Sequence, residues 1–367
     1  MSAEGQAVTL GEQLRGWLPV RRSAVLRGPL EQRLARRLAR EYRPDDPPLA
    51  HPCGEGLADV LVVRLDLPGQ GGVVLKHAYS ASAAAALARE WDVLTRLQDE
   101  ERLGAWRRLV PTPLDRRLDA PRPLITQSLL PGRDAGTVLV SAPAGARRDT
   151  DGRVAADHVA HLALDALAAL GRATARSEPC TDRRVKAWVT EPLAAVRDRI
   201  PWCRTGAGAA GLAAVGERIG RGLDGRVLAV GWTHGDYHPG NVLLDERASR
   251  VTGVIDWGEG REDGPVAVDA CTFVLMLRCL RTGADLGPVV ADVLRTGALA
   301  PGDAALLASA SGAAREGDAA DPTVVLLAWL WHVAANVSKS PRYGRSRIWY
   351  RRAVAPVLAE AVRWPGL

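Results

Sequence analysis

The run His234-Gly235-Asp236-Tyr237-His238-Pro239-Gly240-Asn241, followed by Val254-Ile255-Asp256-Trp257, sets two carboxylates and an amide at spacings that suit phosphoryl transfer. That chemistry needs a carboxylate to orient an acceptor hydroxyl and take its proton, and Asp236 stands where a short loop can present it. It also needs magnesium against the triphosphate charge, and the Asn241 amide oxygen and the Asp256 carboxylate are hard oxygen donors of the kind that ion prefers. Either half alone has a plainer reading, because His, Asp and Asn on turns often cap loops and bond to backbone. Order and spacing together favour the chemical reading.

The elements that must position these groups are legible nearby. Asn241 leads into the apolar Val242-Leu243-Leu244, a polar turn runs from Asp245 to Arg250, and Val251 to Ile255 returns as a second apolar run. A hairpin is therefore predicted, with Asn241 and Asp256 brought together at its open end.

These residues resemble the aminoglycoside phosphotransferase and choline kinase-like family, whose loop usually reads His-Gly-Asp, any residue, His-Pro-Gly-Asn. Ile255-Asp256-Trp257 resembles that family's counterpart of the protein-kinase Asp-Phe-Gly motif. The resemblance implies an α+β, protein-kinase-like two-lobed fold: a small antiparallel-sheet N-lobe with one helix, and a larger, mainly helical C-lobe. The expected divisions are an N-terminal extension with an amphipathic helix over 1–50, a nucleotide-binding N-lobe over 51–126, and a C-lobe over 127–367 with hinge, catalytic loop and acceptor-binding helices. It implies too that Asp269, in its Gly264-Pro265 to Asp269 context, steadies the catalytic loop. A helix N-cap ahead of Ala270 to Leu277 is the plainer role for that residue, and both can hold.

Such a fold requires a strand lysine for the phosphates and a helix glutamate to hold it. Val73-Val74-Leu75-Lys76 closes an apolar run, so Lys76 is the candidate for the α- and β-phosphates. Arginine supplies nearly all of the 48 basic residues, and the lysines are Lys76, Lys186 and Lys339 alone. A compact ammonium differs from a guanidinium fork, which marks Lys76 as a position where arginine would not serve. Ser80 to Leu97 reads as an Ala-rich helix with Leu87, Trp91, Leu94 and Leu97 at helical spacing. Glu90 beside that stripe is the candidate partner of Lys76, with Asp92 as its competitor. Gly54 and Gly56, ahead of the strand predicted over Val60 to Leu65, are candidates to cover the phosphates. They lack a full Gly-x-Gly-x-x-Gly, and a plain turn fits nearly as well. Leu124 to Gly132 resembles the strand and hinge that join the lobes of kinase-like folds, which implies backbone contacts to adenine at Gln127, Ser128 and Leu129.

Composition agrees with one enzyme of two lobes: 367 residues, 47% apolar, can bury substantial cores. Met1 to Trp17 carries acidic residues and no apolar core segment, so no signal peptide and a cytoplasmic location are expected. The richest apolar stretch, Thr323 to Val337, is too short for a bilayer and holds His332 and Asn336, so no membrane partner is expected. Five cysteines, at Cys53, Cys180, Cys203, Cys271 and Cys279, lack paired metal spacing and read as reduced thiols. A helix is predicted from Pro29 to Tyr42, with Leu30, Leu34, Leu38 and Tyr42 on one face and arginines on the other. Ser141 to Arg153 reads as a surface loop. Trp188, Trp202, Trp329, Trp331 and Trp349 are candidate walls of an acceptor pocket, with core packing the plainer role for each.

The formal net charge is +6, and Lys339, Arg342, Arg345, Arg347, Arg351 and Arg352 cluster without an intervening acid. A solvated helix face is the expected role of the cluster, ahead of nucleic-acid binding through its interleaved aromatics. A cationic region argues for a neutral or acidic acceptor over a polycation.

The expected function is transfer of the γ-phosphoryl group of ATP, with magnesium, to a hydroxyl of an antibiotic, sugar or amino-alcohol-like metabolite; GTP is the open alternative donor. Asp236 takes the proton, Asn241 and Asp256 hold the metal, and Lys76 with Glu90 grips the phosphates. His234 builds the loop, and His238 does the same or touches the γ-phosphate. Two alternatives stand. One is a kinase for Ser or Thr of a peptide in lanthipeptide-like ribosomal peptide maturation, and the other a non-catalytic nucleotide-binding partner protein, against which the intact site residues argue. No oligomeric state is predicted.

Overall fold

The computed structural model describes residues 24–53, 59–67, 71–140, 156–310 and 320–363. Gly54, Gly56 and the loop predicted over 141–153 lie outside the described residues.

Alternating apolar residues build an antiparallel sheet of β1 (Leu49–Pro52), β2 (Val60–Leu67), β3 (Gly71–Ala78), β4 (Pro113–Arg117) and β5 (Leu124–Ser128), in the order β1-β2-β3-β5-β4. One face carries Leu61, Val63, Leu65, Val73 and Leu75, which pack on Leu38 and Ala39 of α1 (Ala24–Tyr42). The opposite face carries Ala78 and Ile125 against Ala83 and Leu87 of α2 (Ala81–Asp99). Because a strand has a period of two, Leu75 faces α1 and its neighbour Lys76 faces α2. Ser80 starts α2 by accepting the Ala83 amide at 3.2 Å. The stripe predicted on α1 is shorter than expected: Leu38 is fully buried, whereas Leu30 is 63% exposed.

The second lobe is mainly helical. Its α-helices of six or more residues, among the described residues, are α3 (Ala135–Val140), α4 (Ala156–Thr174), α5 (Glu191–Arg199), α6 (Gly206–Leu223), α7 (Ala267–Thr282), α8 (Leu286–Thr296), α9 (Pro301–Ala310), α10 (Pro322–Lys339) and α11 (Ala355–Arg363). Two small antiparallel sheets are set among them. β6 (Arg133–Asp134) pairs with β9 (Val242–Leu244), which pairs with β10 (Val251–Val254), so the predicted hairpin is present. β8 (Val227–Thr233) lies between β7 (Arg176–Pro179) and β11 (Arg261–Pro265) and delivers the chain to His234.

α10 is the axle of this lobe. It is apolar on nearly every side, from Val324 to Val337, as expected of a helix surrounded by core. Asp321 caps it by accepting the Thr323 amide at 2.7 Å, with Pro322 in the first turn. Its last residue is Lys339. Among the described residues, no helix is long and apolar enough to cross a membrane, and Cys271 and Cys279 are buried in α7 as free thiols.

Candidate active site

The loop after β8 is held by backbone contacts that its sequence makes available. Gly235 has φ of 76°, and a Cβ there would lie 2.4 Å from the Glu259 carbonyl oxygen, so only glycine fits. Asp269 accepts the His234 amide at 2.5 Å and the Gly235 amide at 2.9 Å. The cap position of α7 is Val266, so the Asp269 carboxylate serves the loop and not the helix end. With two donors but no cation, it is pushed up by burial to about 7.

His234 Nε2 lies 2.8 Å from the Ile255 carbonyl oxygen. A carbonyl only accepts, so Nε2 carries the proton and Nδ1 receives the Asp236 amide at 3.3 Å. Burial pushes His234 down to about 4, which keeps this neutral tautomer. His238 Nδ1 accepts the Gly240 amide at 3.0 Å, closing the next turn. Asn241 donates Nδ2 to the Asp236 carbonyl oxygen at 2.9 Å, and its own carbonyl accepts the Ile255 amide at 2.9 Å. The hairpin thus brings Asn241 to the segment that carries Asp256.

On the N-lobe side, Lys76 Nζ bonds Glu90 Oε1 at 2.5 Å and also bonds Asp256 Oδ1. Asp92, the competing partner, lies instead 3.7 Å from Arg116. Burial alone would lower the Lys76 ammonium, but Asp256 and Glu90 outweigh it and raise it. Burial likewise favours a neutral Asp256, and Lys76 overrides that to hold the carboxyl below its ordinary value. Asp256 has φ of 65°, a left-handed conformation that Asp adopts more readily than most side chains, and its carboxylate meets Lys76. The Asp256 side chain is 48% exposed, toward a cleft of about 190 Å³ lined by Val62, Lys76, Leu87, Glu90, Asp256 and Lys339.

Magnesium fits this donor set. The Asn241 amide is anchored through its nitrogen, leaving the oxygen end, and Asp256 has a second carboxylate oxygen beyond the one on Lys76. No cluster of three His, Cys, Asp or Glu residues suited to a metal occurs among the described residues. Two protein oxygens completed by phosphates and water is the usual magnesium arrangement.

At the hinge, the Ser128 amide donates to Thr112 O at 2.9 Å and the Leu129 amide to Gly72 O at 3.1 Å. Those two donors are committed to the sheet. Gln127 is buried, and its Oε1 has no hydrogen-bond partner among the described residues.

Asp236 has neighbours that the motifs do not reach. Lys339 Nζ donates to its Oδ2 at 2.7 Å, while His332 Nδ1 and His238 Nε2 lie 3.5 and 4.0 Å from Oδ1. Burial would raise the Asp236 carboxyl, but Lys339 and the two imidazoles outweigh it and hold it well below the usual range. The cationic cluster predicted as a solvated face is therefore divided: Lys339 is paired in the site, and Arg342 reaches Asp59 of the N-lobe at 3.2 Å. A signal was present in the sequence. His332, Asn336 and Lys339 stand four and three residues apart on an otherwise apolar helix, which places them on one face.

Beside Gly235, a cavity of about 170 Å³ opens between α5 and α10, lined by Glu191, Pro192, Glu259, Arg261, Trp331 and Ala335. Arg261 stacks 4.3 Å over Trp331 and donates to the Ala187 carbonyl at 3.1 Å. Of the candidate tryptophan walls, Trp331 lines this cavity. Trp188 and Trp329 are core residues whose Nε1 groups donate to Asp263 O and Ala353 O, while Trp202 packs on Tyr350 and Trp349 on Tyr343.

Residues 50–308 match the family model of the phosphotransferase enzyme family, APH. Among solved structures, an aminoglycoside-3'-phosphotransferase of type VIII is similar with a TM-score of 0.54 and 21% identity, over 82% of this chain and 98% of that one. A Ralstonia eutropha JMP134 protein described as an aminoglycoside phosphotransferase has a TM-score of 0.51 and 14% identity, over 90% of this chain and 96% of that one. No curated protein sequence matches the chain. At such identities the structures share a fold, the protein-kinase-like one expected from the sequence. The family match spans well over half of the chain, which belongs to the phosphotransferase enzyme family and is a phosphotransferase of kinase-like fold.

Proposed function

We propose that the protein transfers the γ-phosphoryl group of ATP, in the presence of magnesium, to a hydroxyl of a small molecule. The observation that carries this reading is that Lys339, which lines one cleft with Lys76, Glu90 and Asp256, also donates to the Asp236 carboxylate, so the base stands beside the cluster that grips the phosphates.

The acceptor enters from the cavity beside Gly235, and Asp236 accepts its hydroxyl proton as the oxygen attacks phosphorus in line. The new O–P bond forms as the bond to the bridging oxygen breaks, and the electron pair leaves on ADP. Lys76 holds the α- and β-phosphates, and Glu90 fixes where Lys76 points. Asn241 and Asp256 would hold the magnesium ion, whose chemistry is to neutralise charge across the β- and γ-phosphate oxygens. His234 and Asp269 keep the loop in one conformation through the amides of Asp236, His234 and Gly235. His238 orders the turn and presents Nε2 toward Asp236. Gln127, Ser128 and Leu129 take the adenine edge, with the carbonyls doing the work where the amides are committed.

A neutral hydroxyl compound suits the acceptor cavity. Glu191 and Glu259 offset Arg261 there, and the cationic cluster that pointed to an acidic acceptor is partly neutralised by Asp236 and Asp59. The test is mass spectrometry of a panel of small alcohols and Ser/Thr peptides incubated with ATP and magnesium, wild type beside Asp236→Asn. Phosphate on a small alcohol, lost in the variant, is expected. Transfer to peptide alone would replace this reading with a peptide kinase, and nucleotide binding without any transfer would favour a non-catalytic partner protein.

A further inference from the structure

Lys339 comes from a helix that carries no phosphotransfer motif, yet it stands between the nucleotide cleft and Asp236. Its side chain is 23% exposed, lines the same cleft as Lys76 and Asp256, and donates to Asp236 Oδ2 at 2.7 Å. An ammonium has three N–H donors, and a single carboxylate oxygen uses one of them. We propose that Lys339 is a second catalytic cation, which anchors the Asp236 carboxylate through one N–H and offers another to the transferred phosphoryl group.

Three observations lead there, and the inference rests on the phosphotransferase reading above. First, Lys339 occupies Asp236 Oδ2 at 2.7 Å, while the buried Oδ1 makes no hydrogen bond and has His332 Nδ1 3.5 Å away, so the carboxylate is fixed through Oδ2 and Oδ1 is the oxygen left for the acceptor proton. Second, residue choice points the same way. Only three of the 48 basic residues are lysine, and two of those three face this one cleft. A guanidinium would tend to clasp the carboxylate with two N–H groups, whereas an ammonium on a flexible stem can serve two anions at once. Third, Lys339 is set where a cation is stable: it ends α10, whose C-terminal carbonyls favour positive charge, with Asp236, Asp256 and Glu259 around it.

In the step itself, the acceptor proton passes to Asp236 Oδ1, the O–P bond forms, the bridging P–O bond breaks toward ADP, and Lys339 keeps all its protons. Its charge faces the phosphoryl oxygens as they are transferred, where preorganised donors contribute most. Lys76 grips the nucleotide in both ground and transition states, and Lys339 acts on the group in flight.

Calorimetric titration of full-length wild type, Lys339→Met, Lys339→Gln and Lys339→Arg with magnesium ADP, alone and with aluminium fluoride as the phosphoryl mimic, tests this. Lys339→Met and Lys339→Gln should weaken the aluminium fluoride complex about 100-fold and leave ADP affinity within about threefold, with Lys339→Arg recovering part of the loss. Equal weakening of both complexes would mean a structural role and overturn the proposal, as would unchanged binding of both. Wild type that gains nothing from aluminium fluoride would overturn the phosphotransferase reading as well. A gain that survives in Lys339→Met would overturn the role of Lys339 alone. Met and Gln differ in polarity, so failure of one to fold leaves the other to decide.

Discussion

The cleft holds two lysine–carboxylate arrangements, and they are built differently. Lys76 is locked between carboxylates from α2 and from the turn after β10, and its side chain is 5% exposed. Lys339 has one close carboxylate and is 23% exposed. A cation with two fixed partners is a structural clamp that can hold a phosphate in one place; a cation with one partner retains donors for a group that arrives. The difference suggests why one side of the site is expected to carry stability and the other chemistry.

The largest effect that would sharpen this contrast is on turnover. Asp236→Asn should lower phosphate transfer about 1,000-fold while the dissociation constant for magnesium ATP stays within about threefold, measured by single turnover and by calorimetry. If nucleotide affinity fell equally, the division between the two sides would fail. Next comes Lys76→Met, which leaves the buried Glu90 carboxylate without its partner and should cost about 3–5 kcal/mol in urea denaturation. Lys76→Met combined with Glu90→Leu should recover part of that loss, since it removes the buried orphan and leaves only the half-exposed Asp256.

A pH effect of comparable size separates the loop from the clamp. His234, buried and pushed down to about 4 from an ordinary value of 6.5, binds its proton more readily in the unfolded chain. Its stabilising contribution is therefore fully present above about pH 6.5 and lost as pH falls toward 4, amounting to about 3 kcal/mol. Asp269 works in the opposite sense, since its value is raised to about 7: its contribution is present at low pH and is lost as pH rises toward 7. The two contributions oppose one another, so the wild-type profile should be shallow while His234→Gln turns downward with rising pH across pH 4–6.5. A His234→Gln profile parallel to wild type would contradict the buried neutral imidazole.

A smaller effect is expected at the loop anchor. Asp269→Asn replaces an acceptor pair with one acceptor and one donor, leaving the His234 or Gly235 amide unsatisfied at about 1–3 kcal/mol. Faster hydrogen exchange at those two amides is the readout. The smallest is on α1, where Leu30→Ser should change stability by less than about 0.5 kcal/mol, although Leu38→Ala on the buried face of the same helix should cost about 2–5 kcal/mol.

These contrasts also show what the sequence makes legible. Asp236 and Asn241 lie within one short loop, and the hairpin to Asp256 is written in two apolar runs about a polar turn, so local spacing sufficed. Lys76 and Glu90 followed from the resemblance, which requires a strand lysine and a helix glutamate, with the scarcity of lysine and the helical stripe of Leu87, Trp91, Leu94 and Leu97 picking them out. Lys339 lies 103 residues from Asp236 along the chain, and their meeting depends on how α10 threads the lobe, which no local pattern encodes. Its neighbours Arg342 and Arg345 made it look like part of a solvated face, although the polar stripe of His332, Asn336 and Lys339 on an apolar helix was the better guide. Leu30 failed for a related reason. A helical stripe gives the face of a helix, but what packs against that face decides where burial stops.

Transfer of a phosphoryl group to a hydroxyl is tested most directly with ATP labelled with heavy oxygen at the non-bridging γ positions. With magnesium and the alcohol panel, the expected product is a phosphorylated small alcohol that retains its own oxygen in the ester linkage and carries the label on the new phosphate. Labelled inorganic phosphate as the only product across the panel, or an ester formed equally well by Asp236→Asn, would contradict it.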